Sequence, residues 1–179
     1  GDRVYEGNLI SLGEKDILII EGIHALNPLL TDRIPEESKF KIYVSALTSL
    51  SLDENNNIST SDNRMMRRMV RDNQFRGIKP ENTINMWPSV RRGEVKNIFP
   101  FQENADIVFN SSLLYELPLL KYYAEPLLRR IPITSEAYPD AIRILKFLSL
   151  VEAMSPQEIA AIPPTSIIKE FIGGSSFTY

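Results

Sequence analysis

The sequence predicts an α/β fold: part of a parallel sheet with flanking helices, followed by a helical carboxyl-terminal extension. Three observations predict it. The run Asp16-Ile17-Leu18-Ile19-Ile20-Glu21 sets four consecutive aliphatic residues between polar ends, the pattern of a strand buried on both faces of a parallel sheet. Two further short apolar runs, Phe40–Val44 and Asp106–Phe109, are separated by stretches of helical pattern. From Leu113 onward the periodicity is helical, and Ser155-Pro156-Gln157-Glu158 has the form of a capped helix start.

The elements follow in order. Residues 1–15 are polar and turn-rich, with a weak strand expected over Asn8–Leu12. The first full strand is Asp16–Ile20. A short helix over Leu29–Arg33 is stopped by Pro35, and a second strand covers Phe40–Val44. Leu52–Ser61 contains Asp-Glu-Asn-Asn-Asn and reads as an exposed loop. Thr60, Ser61 or Asp62 caps the helix that follows. A second helix starts near Pro80, a favourable first-turn position, and Pro88 is expected to kink or divide it. Asp106–Phe109 is the third strand. Leu113–Leu128, with Pro118 near its start, and Ala141–Ala153 are helices. The tail Pro163–Tyr179, with Pro-Pro and Gly-Gly, is expected to be irregular. There is no internal repeat and no low-complexity tract.

Composition bounds the function. The chain has 179 residues, 43% apolar and 24% charged, near the averages for globular proteins. No apolar run approaches the roughly 18 residues that span a bilayer, so a soluble, cytoplasmic protein without a membrane partner is expected. With no Cys and a single His, disulfides, a thiol nucleophile and a multi-histidine zinc site are excluded. The net charge of −3 hides an asymmetry. Arg64–Lys96 carries nine Lys/Arg against three acids, which leaves −9 for the remainder. A basic segment of that kind implies an anionic partner, such as the phosphate of a small molecule or of a nucleic acid.

Two groups of residues point to chemistry. A carboxylate at the carboxyl end of a buried strand, Glu21, is costly unless it serves a metal, a cation or a proton, and ligands bind at such strand ends. On the helix after Asp62, a 100° repeat puts Arg64, Arg67, Arg68 and Arg71 on one face and Met65, Met66, Met69 and Val70 on the other. Like charges at these spacings repel by a few tenths of a kcal/mol per pair, and a bound anion removes that repulsion. The planar guanidinium suits phosphate oxygens. Few acids lie nearby in sequence to neutralise the stripe instead. Trp87 and Phe99 have two readings, stacking on a base or belonging to the core.

These stretches also carry a resemblance. Asp16–Pro28, with its Glu-Gly-Ile-His wording, resembles the second acidic motif of the uridine kinase and phosphoribulokinase family of P-loop kinases. Asn63–Asp72 is similar to that family's arginine-rich lid helix. Met86–Glu94 and Asn97–Phe101 resemble the segment that follows the lid in bacterial uridine kinase-like proteins. Ala105–Asn110 resembles the closing strand. The likeness runs over roughly residues 9 to 130 in the family's order, which implies the second half of a P-loop kinase sheet. It divides the chain into a kinase part, 1–130, and a helical extension with an irregular tail, 131–179.

The resemblance implies ATP and Mg²⁺ as cofactors and a nucleoside or sugar phosphate as the small-molecule substrate. It maps the lid arginines onto Arg68, Arg71 and Arg76, beside Arg64, as phosphate ligands. It assigns Glu21 to Mg²⁺ support, His24 to substrate contact, and Asn110 and Ser111 (with Ser112) to the loop near the adenine. Glu21, His24, Arg68 and Arg71 are thus the catalytic candidates. Two departures stand out. The chain has Ile78 where animal uridine-cytidine kinases have a second arginine after the Arg-Gly pair. It also contains no Gly-x-x-x-x-Gly-Lys-Ser/Thr sequence, the loop that cradles phosphates. The family places that loop upstream, so this chain is expected to be the carboxyl-terminal part of a kinase, inactive alone and prone to self-association through its cut sheet. The leading expectation is an ATP-dependent nucleoside kinase. The alternatives are a non-catalytic interaction or oligomerisation module derived from one and, less favoured, an RNA-binding domain.

Overall fold

The computed structural model describes residues 11–48 and 58–178. Strand β1 spans Ile42–Ser45 and strand β2 spans Ile107–Asn110. They run parallel in the register Ile42↔Ile107 to Ser45↔Asn110. Side chains clamp both ends of this short ladder. Before it, Asp106 Oδ2 accepts from Lys41 N at 2.6 Å while Asp106 N donates to Lys41 O at 2.9 Å. Beyond it, the Asn110 carboxamide accepts from Leu47 N and donates to Leu47 O, both at 2.9 Å, as one more backbone unit would.

The expected strand Asp16–Ile20 is not formed among the described residues. The segment takes no regular structure, and its aliphatic side chains are exposed, Ile17 at 88% and Ile19 at 85%. A strand requires a neighbour for its N–H and C=O groups, and the described sheet is the β1–β2 pair alone. Both faces of that pair are also open, with Ile42, Val44, Val108 and Phe109 exposed. The short helix expected at Leu29–Arg33 is a single 3₁₀ turn, Pro28–Leu30, capped by the Asn27 side chain on Leu29 N at 3.0 Å. The weak strand over Asn8–Leu12 and the loop over Leu52–Ser61 lie largely outside the described residues.

The core is helical instead. Helix α1, Thr60–Arg76, starts one residue earlier than the caps weighed from sequence, with Ser59 Oγ accepting from Asp62 N at 3.0 Å. It ends at Gly77, whose φ of 62° suits a residue without Cβ. Helix α2, Pro80–Asn97, runs through Pro88 without dividing. Pro88 forfeits one backbone bond there, which the packing of Ile84 and Trp87 into the core offsets. Trp87 is therefore a core residue, its indole N–H donating to Ser61 Oγ at 2.9 Å. Helices α3, Glu116–Leu128, and α4, Tyr138–Leu148, follow, then α5, Pro156–Ala160, with the expected capping box between Ser155 and Glu158. The tail is less irregular than its glycines and prolines suggest. Ile168 is fully buried and α6, Lys169–Ile172, packs against α1.

Met65, Met66, Met69 and Val70 of α1 meet Leu119, Leu120 and Leu128 of α3, Ile144 and Leu148 of α4, and Ile168 and Ile172 in one cluster. Two ion pairs fix α1 within it. Arg67 is buried and paired with Glu116 through Nε and Nη2. Its Nη2 also donates to Ser111 O at 2.9 Å, and Asn63 Nδ2 donates to Glu116 Oε1 at 3.1 Å. At the helix start Arg143 grips Asp62 with two bonds of 2.8 Å. Burial raises the Asp62 pKa, but the guanidinium and the Ser59 hydroxyl outweigh it and hold the carboxyl below its ordinary 3.8.

Arg67→Met alone should strand a buried carboxylate and cost about 3–5 kcal/mol in urea unfolding, while Arg67→Met with Glu116→Leu should recover much of that loss. Arg143 in the Asp62 pair is half exposed, and the pair contributes about 1 kcal/mol or less. Because the folded pKa is depressed, that contribution is present above pH 3.8 and disappears as the pH falls through the lower folded value. Asp62→Asn should flatten this acid limb when stability is followed against pH.

Candidate functional site

The carboxyl-terminal half of α1 gathers three arginines around one carboxylate. Asp72 is fully buried. Its Oδ2 faces Arg68 Nε at 3.1 Å, and its Oδ1 faces Arg76 Nη1 at 3.0 Å and Arg71 Nε at 3.4 Å. The i, i+4 spacing on either side of Asp72 brings Arg68 and Arg76 to it. Arg71 reaches on to Glu170 of α6 at 3.5 Å. Three guanidiniums thus share two carboxylates and keep one positive charge in excess. The arginine side chains are 30%, 26% and 53% exposed in chain order, so each turns part of its donor set to solvent. A fixed set of forked donors with surplus charge is suited to an anion with several oxygens.

The four-arginine stripe does not act as a unit. Arg67 leaves it for the buried pair with Glu116. Arg64 forms an ion pair with the buried Glu94, touching Oε1 without hydrogen-bond alignment, and Arg91 takes Oε2 of the same residue at 2.8 Å. Acids scarce along the sequence are thus supplied from distant elements. Arg91 also lies over the half-buried Phe99 ring at 5.6 Å.

Glu21 and His24 sit apart from this cluster. Both are exposed, Glu21 just before and His24 within a chain of turns that begins at Gly22. The Gly22 φ of 145° is one a side chain rarely adopts, and Ala25 N donates to Gly22 O at 3.0 Å. Asn104 Nδ2 donating to Leu26 O at 3.4 Å ties the segment to the body. Among the described residues no three His, Asp or Glu come together as a metal cage. Asn110 is the last residue of β2, where its side chain extends the ladder, and the buried Ser111 just after it accepts from Arg67. Sequence reasoning missed two members of the arginine group. Asp72 was legible from its spacing, but nothing in the sequence near α1 announces Glu170.

In chain order the arginine-rich α1 lies between the two parallel strands. The chain matches the Phosphoribulokinase / Uridine kinase family over residues 6–114, more than half its length, and belongs to that family. Membership implies phosphotransferase chemistry on small molecules, with ATP and Mg²⁺ as the family's general requirements. No curated protein and no solved structure matches the chain. Among the described residues no helix is long and apolar enough to cross a membrane.

Asp72→Asn would leave three guanidiniums facing one another and should cost about 1–3 kcal/mol. Inorganic phosphate should restore more stability to that variant than to the unsubstituted chain in thermal unfolding, because it replaces the missing charge.

Proposed function

We propose that the chain serves an ATP-dependent nucleoside kinase of the uridine type, supplying the arginine lid and the acidic support for the metal. The observation that carries this reading is the convergence of Arg68, Arg71 and Arg76 on buried Asp72. The three donors would bind the β- and γ-phosphates of ATP, with Arg64 adding positive field a turn earlier. In that reaction the bond from the γ-phosphorus to the bridging oxygen would break as a substrate hydroxyl oxygen bonds to phosphorus, the hydroxyl proton would pass to water, and ADP would leave. Donors already aimed at the phosphate oxygens need no reorganisation as charge moves toward ADP.

Glu21 would support Mg²⁺. That ion commonly takes one or two carboxylates and completes its shell with water and phosphate, so a single exposed Glu suits support and not a stand-alone metal site. When bound, Mg²⁺ neutralises charge on the phosphates. His24, on the same turns, would contact the acceptor, and Asn110 and Ser111 would line the adenine side. Residues 1–130 would form the kinase part and 131–179 the extension.

A second reading, a kinase-derived interaction module, is favoured by the exposed aliphatics of residues 17–23 and of the sheet. Self-association through that surface should appear as a concentration-dependent sedimentation coefficient. RNA is less favoured, because most of the basic stretch is committed to internal carboxylates.

The decisive experiment is a coupled ADP-release assay with Mg·ATP and a panel of nucleosides and sugar phosphates, run on this chain and on the full product of its gene. Turnover confined to the full product, with one nucleoside preferred, is the expected result. Arg71→Ala there should lower kcat about a hundredfold or more. Absence of turnover from both would leave the interaction module as the better reading.

A further inference from the structure

We propose that the anion site extends beyond α1 onto α6, with Phe171 positioning Arg71 and Glu170 acting as a tethered carboxylate that an incoming phosphate displaces. This rests on the reading of Arg68, Arg71 and Arg76 as phosphate ligands. Residues 168–173 lie outside the stretch matched to the family, so their contact with the arginines belongs to the extension.

The contact is built, not incidental. Ile168 and Ile172 are buried in the core on either side of the half-buried Lys169–Phe171. Gln74 Nε2 of α1 donates to Ile172 O at 2.9 Å. Gly173, at φ 87°, lets the chain turn away where a Cβ would meet that same Gln74 nitrogen at 3.0 Å. Held in this way, the Phe171 ring lies under two guanidiniums, Arg67 at 5.2 Å and Arg71 at 5.8 Å. Arg67 is immobilised by Glu116 and Ser111, which fixes the ring from one side. The ring in turn gives Arg71 a stacking platform, and cation–π attraction favours the guanidinium there.

Arg71 is the least tightly held of the three arginines. Its contacts to Asp72 and Glu170 are 3.4 and 3.5 Å, against 3.1 and 3.0 Å for Arg68 and Arg76 to Asp72. Glu170 is 38% exposed, so its carboxylate returns to water at little cost when a more highly charged anion takes its place. Glu170 thereby sets a threshold. A monoanion gains little by displacing it, whereas a polyphosphate bridging Arg68, Arg71 and Arg76 gains more than it loses.

Inorganic tripolyphosphate binding to this chain, measured by calorimetry at several salt concentrations, tests the proposal. Glu170→Gln should tighten binding about threefold at low salt and steepen its salt dependence, with the melting temperature unchanged. Phe171→Leu should weaken binding about threefold, and Phe171→Trp should restore it. Glu170→Gln is a half-exposed, isosteric change, so it decides the matter even if Phe171→Leu fails to fold. Unsubstituted affinity and salt slope in Glu170→Gln, with Arg71→Ala still weakening binding, would overturn the role of α6 and leave the arginine site intact. Binding indifferent to Arg68→Ala, Arg71→Ala and Arg76→Ala, or no binding at all, would overturn both.

Discussion

Arg67 and Glu116 are both nearly inaccessible to water, and three segments depend on their pairing. Arg67 stands on α1, Glu116 opens α3 and also accepts from Asn63, and Arg67 donates in addition to the carbonyl of Ser111, just past β2. Desolvating two such groups is expensive, so each is tolerated only with its partner and its further hydrogen bonds in place. The pair therefore sets where the sheet ends relative to α1. It also decides which arginines remain for other work. Arg67 is taken up by this pair, and Arg68, Arg71 and Arg76 meet at Asp72.

Helix α1 consequently has three uses over seventeen residues. Its methionines fill the core, its first arginines tie it to neighbours, and its last arginines share a carboxylate at the surface. A solvated basic helix would have its arginines spread in water. Here a buried acid holds three of them together at reduced but not cancelled repulsion.

Local patterns were the most legible part of the sequence. The start of α2 at Pro80, the capping box at Ser155 and Glu158, and the burial of the methionine stripe all follow from residues within one or two turns of each other. Asp16–Ile20 shows where such reading stops. Four aliphatics describe a strand's side chains but supply no partner for its backbone, and the described sheet has none for it. The arginine stripe erred in a related way. Counting acids along α1 missed Glu94, Glu116 and Glu170, which reach the helix only through tertiary packing. Family membership was readable because its motifs are local and their order is kept. The part played by Glu170 was not, since 99 residues separate it from Arg71.

The core that joins Met65 to Ile172 also imposes an order on biosynthesis. The methionine face of α1 leaves the ribosome about a hundred residues before the isoleucines that finish covering it. At roughly 5–20 residues per second that interval is on the order of ten seconds. Through it the nascent chain presents an apolar helix with a fringe of arginines and no completed core, which is the profile of a client for a holding chaperone.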